Sequence, residues 1–412
     1  MSIVKLRREK LLNSLDDNSL VIFYSSKSPI KSGDERYLFS PNRNFFYFTN
    51  LAIENSFFVI YKTEGEIYEK LFIERNDPIL ARWIGEKPSK EECSEKSEVK
   101  INNIYYIDEF FSFLGNTLWT YHIEDVYFYL KNVDWENNTT EKKLAKEITY
   151  NFPYVKIKDV SKIVNRLRVK KDETEIENIK KAISITQEAI IYLMQNAKPG
   201  MYEYELEAYF DFILRKNGVT DFAFKPIVAS GINSTILHYS SNNCKTNEGD
   251  LVLLDLGAQY QYYSADISRT FPISRKFTDR QKEIYQVVLN TMKEVQNETK
   301  PGITLFELNE IAKKSLAKGC KEINLINSDE ELSKYYFHSI SHFLGLDTHD
   351  VGGKKIKLEP GMVITNEPGL YIPEEKIGIR IEDDLLITEN GCENLSKDIP
   401  KEIYEIENIW GT

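Results

Sequence analysis

Cysteine and histidine are scarce in this 412-residue chain, which has four of the first and five of the second. The cysteines stand at 93, 244, 320 and 392, and no two form a Cys-x-x-Cys pair. That spacing excludes a zinc ribbon and a dithiol redox motif, and fits reduced thiols in a cytoplasmic protein. Long apolar runs are missing too; none approaches the ~20 residues of a membrane span. The N-terminus, MSIVKLRREKLL, carries charges throughout and lacks the apolar core of a signal peptide. Nor is there a basic excess. The formal net charge is −11, which disfavours nucleic acid and anionic membrane as partners.

The length implies two or three domains. Residues 1–160 read as one smaller α/β domain. Residues 1–15 form an amphipathic helix with Val4, Leu11, Leu12 and Leu15 on one side. Strands are expected at SLVIFYS (19–25), FFYFTN, SFFVIYK and EKLFIER, where aromatic density reads as core packing. A helix begins at DPILARWIG, further strands lie in TLWTYHIEDV and YVKIKDV, and EKKLAKEITY is helical. His122, in the Tyr-His-Ile strand context, reads as structural. The charge cluster RLRVKKDETE marks the boundary and reads as a solvated connector without a binding role. Residues 161–412 form the second domain, whose first helix carries Ile176, Ile179, Ala182, Ile183, Thr186 and Ile190 at helical spacing.

This second domain contains an internal echo. Lys198-Pro199-Gly200-Met201 with Tyr204-Glu205-Leu206 recurs as Lys300-Pro301-Gly302-Ile303 with Phe306-Glu307-Leu308. Each copy ends one helix and opens the next, and the matched offsets predict two similar half-domains.

The chemistry concentrates in DLGAQYQYYSADISRTF, which reads as two strands containing Asp255 and Asp266. A carboxylate in an apolar strand is costly unless it is paired, hydrogen-bonded or bound to a cation. Three further candidates stand in apolar settings: His342 in SHFLGLDTHD, Glu367 in VITNEPGLY and Glu382 in GIRIEDDLLI. Taken singly, each reads as a solvated or salt-bridged residue. Together, four carboxylates and one imidazole suit two divalent ions, and the carboxylate majority favours Mn, with Co, Fe and Zn as alternatives. His338 and His342 would share one face if their stretch were helical, and such a pair alone could hold zinc. His238 and His349 read as hydrogen-bond donors beside the cleft, with Asp350 able to hold the His349 ring.

The order Asp255, Asp266, His342, Glu367, Glu382, with EPG and RIEDD around the last two, resembles the pita-bread metallopeptidases, which include aminopeptidase P, prolidase, methionine aminopeptidase and creatinase. The resemblance is strong over roughly 160–400 and weaker before it. It implies an α+β protein whose C-terminal pita-bread domain has two similar halves. It casts Asp255 as ligand to one ion, Asp266 and Glu382 as bridges, and His342 with Glu367 on the other ion. Glu367 also shuttles a proton, His338 contacts substrate, and Arg380 and Tyr371 support the site. Among these relatives the chain is most similar to aminopeptidase P, which implies hydrolysis of the N-terminal Xaa-Pro bond and an assembly of at least two copies. A prolidase restricted to dipeptides and a non-catalytic peptide-binding module are the alternatives. Trp83 lies in a segment similar to one whose Trp reaches a neighbouring subunit's cleft; Ser40-Pro41 departs from the family pattern in the same domain.

Overall fold

The computed structural model describes residues 2–131 and 138–411, which divide into two compact units, Met1–Leu167 and Arg168–Thr412. The division falls inside the run RLRVKKDETE, at the end of the helix Ser161–Arg168.

In the first unit a six-stranded mixed sheet is ordered Ile104–Tyr106, Glu66–Ile73, Phe57–Thr63, Ser19–Tyr24, Asp125–Phe128, Lys156–Asp159. Its centre is apolar on both faces, and Phe57, Phe72, Phe110 and Phe128 anchor one core layer. The helix Ile3–Leu12 buries Val4, Leu11 and Leu12 as its spacing requires. Two expectations fail here. FFYFTN is not a strand but the core of the helix Arg43–Thr49. The Asn42 side chain accepts from the backbone of Asn44 and Phe45, and Asn50 closes the helix in a left-handed conformation. TLWTYHIEDV likewise ends the helix Phe110–Thr120, turns at His122 with φ +46°, and becomes strand only at Asp125.

The second unit has mixed helix and sheet content and two similar halves. In each, two helices pack together: Glu173–Asn196 on Glu203–Lys216, and Asp279–Glu298 on Leu305–Glu322. Each pair is broken by one of the echoed Pro-Gly turns, where Gly200 (φ +89°) and Gly302 (φ +90°) take a conformation that side chains resist. The turns are also pinned alike. Gly200 N–H donates to Thr246 O (3.0 Å) and Thr246 N–H returns to Met201 O (2.8 Å). Gly302 N–H donates to Leu358 O (2.8 Å) and Leu358 N–H returns to Ile303 O (2.8 Å).

Each returning segment leads through a left-handed glycine, Gly249 or Gly361, into a strand, Leu251–Leu256 or Val363–Asn366. Asp255 lies near the end of the first strand and Glu367 just past the second. Each strand pairs antiparallel with a later one, Ile267–Pro272 or Asp383–Ile387. Asp266 and Glu382 stand immediately before those later strands. The repeat therefore delivers two acids from each half to corresponding strand ends.

Candidate metal centre

The five predicted ligands converge. His342 Nε2 is 3.3 Å from Asp266 Oδ2 and 3.6 Å from Glu367 Oε1. Donor atoms of Asp266, His342 and Glu382 all lie within 4.8 Å of one another. Asp255 lines the same two cavities as Asp266, of about 550 Å³ and 370 Å³, which also share His238 and His349. The first extends past Ala223, Phe224 and Thr348. The second extends past His338, Ser341 and Lys354 and contains Glu367, Arg380 and Glu382.

The surrounding side chains orient these donors. His342 Nδ1 lies 3.1 Å from Phe343 O, which turns Nε2 toward the acids. Thr365 Oγ1 receives the His342 N–H (3.1 Å) and donates to Glu367 Oε1 (3.3 Å). Ser268 Oγ donates to Glu382 Oε2 (2.7 Å) and receives Arg380 Nε (2.7 Å). Arg380 Nη2 donates to Asp255 Oδ2 (2.6 Å), and Arg380 Nη1 to the Tyr371 hydroxyl (3.0 Å). Tyr371 in turn donates to His338 Nε2 (3.0 Å), while His338 Nδ1 lies 2.9 Å from Ser339 O.

Three expectations change. The 337–350 stretch is irregular rather than helical, so His338 and His342 meet the site through turns. Both His338 nitrogens are engaged within the protein, and burial, with Arg380 beside it, pushes its pKa down to about 4. It is therefore a neutral prop for Tyr371 on the wall of the second cavity. Asp350 does not hold His349. It accepts from Arg168 Nη2 (2.6 Å) and Lys171 Nζ (3.0 Å), both almost wholly buried. The run RLRVKKDETE is thus no solvated connector; it anchors the loop that carries His342 and His349.

Sequence reasoning also passed over Asp384, which is fully buried and receives the Asp266 N–H (3.2 Å). The only local signal was a third acid in GIRIEDDLLI.

Burial pushes the carboxyl groups of Asp266, Glu382 and Asp384 well above the usual carboxylate range, and like charge adds to this for all three. Glu367 is also raised, by burial first. Asp255 Oδ1 and Asp384 Oδ1 are buried and have no hydrogen-bond partner among the described residues. Crowded, dehydrated carboxylates with an orphaned oxygen beside an imidazole nitrogen match the needs of divalent cations. The donor set therefore fits metal.

Two family models match the sequence: metallopeptidase family M24 over residues 177–389, and the aminopeptidase P N-terminal domain over residues 4–127. An Escherichia coli (strain K12) Xaa-Pro aminopeptidase is 33% identical, covering 98% of this chain and 96% of that protein. The chain belongs to metallopeptidase family M24. Within that family it is also 30% identical to a Pyrococcus furiosus Xaa-Pro dipeptidase, over 96% of this chain and 98% of the relative. A solved Bacillus anthracis chain assigned as an aminopeptidase P superposes with a TM-score of 0.97 at 48% identity, covering 99% of this chain and 97% of that one. This M24 member thus has an aminopeptidase P N-terminal domain, a pita-bread C-terminal domain and the hydrolase activity of a metal-dependent aminopeptidase. No helix among its described residues is long and apolar enough to cross a membrane.

Proposed function

We propose that the chain is a two-metal aminopeptidase that removes the N-terminal residue of peptides with proline in second place. One observation carries this reading: Asp255, Asp266, His342, Glu367 and Glu382 all line the second cavity, with Asp255 Oδ1 buried and without a hydrogen-bond partner among the described residues. Asp255, Asp266, His342, Glu367 and Glu382 would hold the two ions, with Asp266 and Glu382 shared between them. The oxygen-rich set favours Mn over Co, Fe or Zn. Bound there, two divalent ions supply Lewis acidity and make a nucleophile available at neutral pH.

The chain's own residues do the rest. Glu367, hydrogen-bonded to Thr365, takes the proton released as the attacking oxygen forms its bond and returns it to the leaving amine. His238 and His349 face the shared cavity and donate to the peptide oxygen as negative charge grows on it. Burial, with His342 and His238 nearby, lowers the pKa of His349, so it donates as a neutral imidazole. Arg380 fixes Asp255, and His338 and Tyr371 fix Arg380. The two cavities give the peptide room on both sides of the scissile bond.

The likeness to the Pyrococcus furiosus dipeptidase favours a second reading, a prolidase acting on dipeptides alone. The assembly is at least a homodimer. The helix Pro78–Ile84 buries none of its residues, and Trp83 is 82% exposed, as suits a contact with a second copy. Four unpaired cysteines accord with a cytoplasmic setting. The test of the metal centre is Asp266→Ala assayed on a proline-containing tripeptide with bound metal counted. Loss of turnover together with loss of metal supports the reading, and an active variant overturns it.

A further inference from the structure

His238 is exposed to both cavities, yet the segment that carries it, residues 231–244, has little regular structure of its own beyond the short turn Gly231–Thr235. Something must fix it. Glu203, the first residue of the helix Glu203–Lys216, is completely buried. Its carboxylate receives five hydrogen bonds, all from residues 230–244. Oε1 accepts from Ser230 N (2.8 Å), Ser230 Oγ (2.8 Å) and Asn233 Nδ2 (3.0 Å). Oε2 accepts from Tyr239 OH (2.7 Å) and Cys244 N (2.9 Å). Tyr239 is the immediate neighbour of His238 and points the opposite way, into the core.

A buried acid at a helix start has an ordinary explanation, capping, but that does not apply here. The cap is supplied by Glu205, whose Oε2 receives the Tyr202 N–H at 2.6 Å. The Glu203 carboxylate makes no bond within its own helix. It is spent wholly on the His238 segment.

We infer that Glu203 is the positioning residue for His238: its carboxylate clamps residues 230–244 from beneath and so sets where the imidazole stands in the cleft. This rests on the role given to His238 in the proposed reaction. The clamp is specific to a carboxylate. Each oxygen receives one backbone N–H, from Ser230 or Cys244, and a backbone N–H cannot become an acceptor. A glutamine at 203 must turn its own NH2 toward one of them, whichever way it lies, and that contact is lost. A second tether acts from above, where Ser234 Oγ receives the Gly378 N–H at 2.8 Å. The segment therefore stays folded when Glu203 is altered, but its middle is released.

The experiment is a double-mutant cycle on the metal-loaded, full-length protein, using Glu203→Gln, His238→Ala and both together, with bound metal counted in each. Glu203→Gln is expected to lower kcat/KM by ~10²-fold, the scale for displacing a reacting group by about an ångström. In the His238→Ala background the same change is expected to cost ~2-fold or less, because the group it positions is gone. An equal loss in both backgrounds overturns the inference. Amide hydrogen exchange on the same proteins separates this from the role of His238. Glu203→Gln is expected to speed exchange in residues 230–244 and leave the strands 251–256 and 363–366 unchanged. If His238→Ala is fully active, the proposed role of His238 fails, while exchange still decides whether Glu203 holds the segment; unchanged exchange overturns the clamp. Should Glu203→Gln not fold, Glu203→Asp keeps both acceptors at shorter reach and is expected to retain more activity than Glu203→Ala. Equal activity of those two variants contradicts a carboxylate clamp.

Discussion

Glu367 sits before Pro368, between the strands Val363–Asn366 and Gly369–Ile372, so its backbone is extended, and its carboxylate is fixed by the Thr365 hydroxyl. Glu367→Gln keeps the shape and removes the basic oxygen. Turnover of a proline-containing tripeptide at saturating Mn should fall by ~10²–10⁴, the range for losing a general base. Two ions bound with near-normal turnover would shift the proton-transfer role to another acid. Arg380 poses the reverse case. It is buried against Asp255, and removing one partner of such a pair costs about 3–5 kcal/mol. Arg380→Met should therefore destabilise the metal-free protein by that order, as read by urea unfolding, and cost less once metal replaces the lost charge beside Asp255. Asp350 yields a pH prediction. Burial raises its pKa, but Lys171 and Arg168 outweigh this and hold the group below its ordinary value. A depressed folded pKa contributes stability above the unfolded value of ~3.9, and that stability is lost as pH falls through the folded pKa. Asp350→Asn should lose stability at neutral pH and show a flatter decline below pH ~4 than the parent.

At the scale of the element, what could be read locally was read, and what depended on distant partners was not. The strands 251–256 and 363–366 are mainly apolar runs that follow Gly249 and Gly361, and the acids at or just past their ends, Asp255 and Glu367, stand out against those runs in the sequence. The repeated Lys-Pro-Gly turns announced the two halves for the same reason: a left-handed glycine leaves a mark in sequence. FFYFTN misled because the helix it forms is buried from Asn44 to Thr49, so no period distinguishes it from a buried strand. RLRVKKDETE misled because the acids that bind Arg168 and Lys171 lie far along the chain, at Asp347 and Asp350. Elements also carry a prediction of their own. A Cβ on Gly378 would lie 1.9 Å from the Ser234 backbone oxygen, in contact between the strand Ile377–Arg380 and the turn Gly231–Thr235. Gly378→Ala should destabilise the protein by about 1–3 kcal/mol, as overpacking does, and lower kcat/KM because Arg380 and His238 flank that contact. Wild-type activity and melting temperature in this variant would contradict the packing described.

For the whole molecule, the acid cluster makes stability and metal occupancy one problem. In the metal-free protein Asp266, Glu382 and Asp384 have raised folded pKa values, so the cost of ionising them is present above those values and relieved as pH falls through them. Chelated protein should therefore gain stability on acidification from neutral pH toward ~5, a window distinct from the Asp350 loss below pH ~4. Metal-saturated protein should lack that gain and be more stable throughout, by an amount that grows with free metal. Urea titrations with and without chelator measure both. The central claim is that this centre, loaded with two ions, cleaves the bond before proline at the N-terminus of a peptide. Its most direct test is the release of arginine from Arg-Pro-Pro beside the hydrolysis of Gly-Pro, with metal per chain determined on the same sample. Two ions per chain are expected, with release of arginine that stops on chelation and returns with Mn, and a preference for the tripeptide. Hydrolysis of the dipeptide alone would make the chain a prolidase, and arginine release that survives complete removal of metal would contradict the account outright.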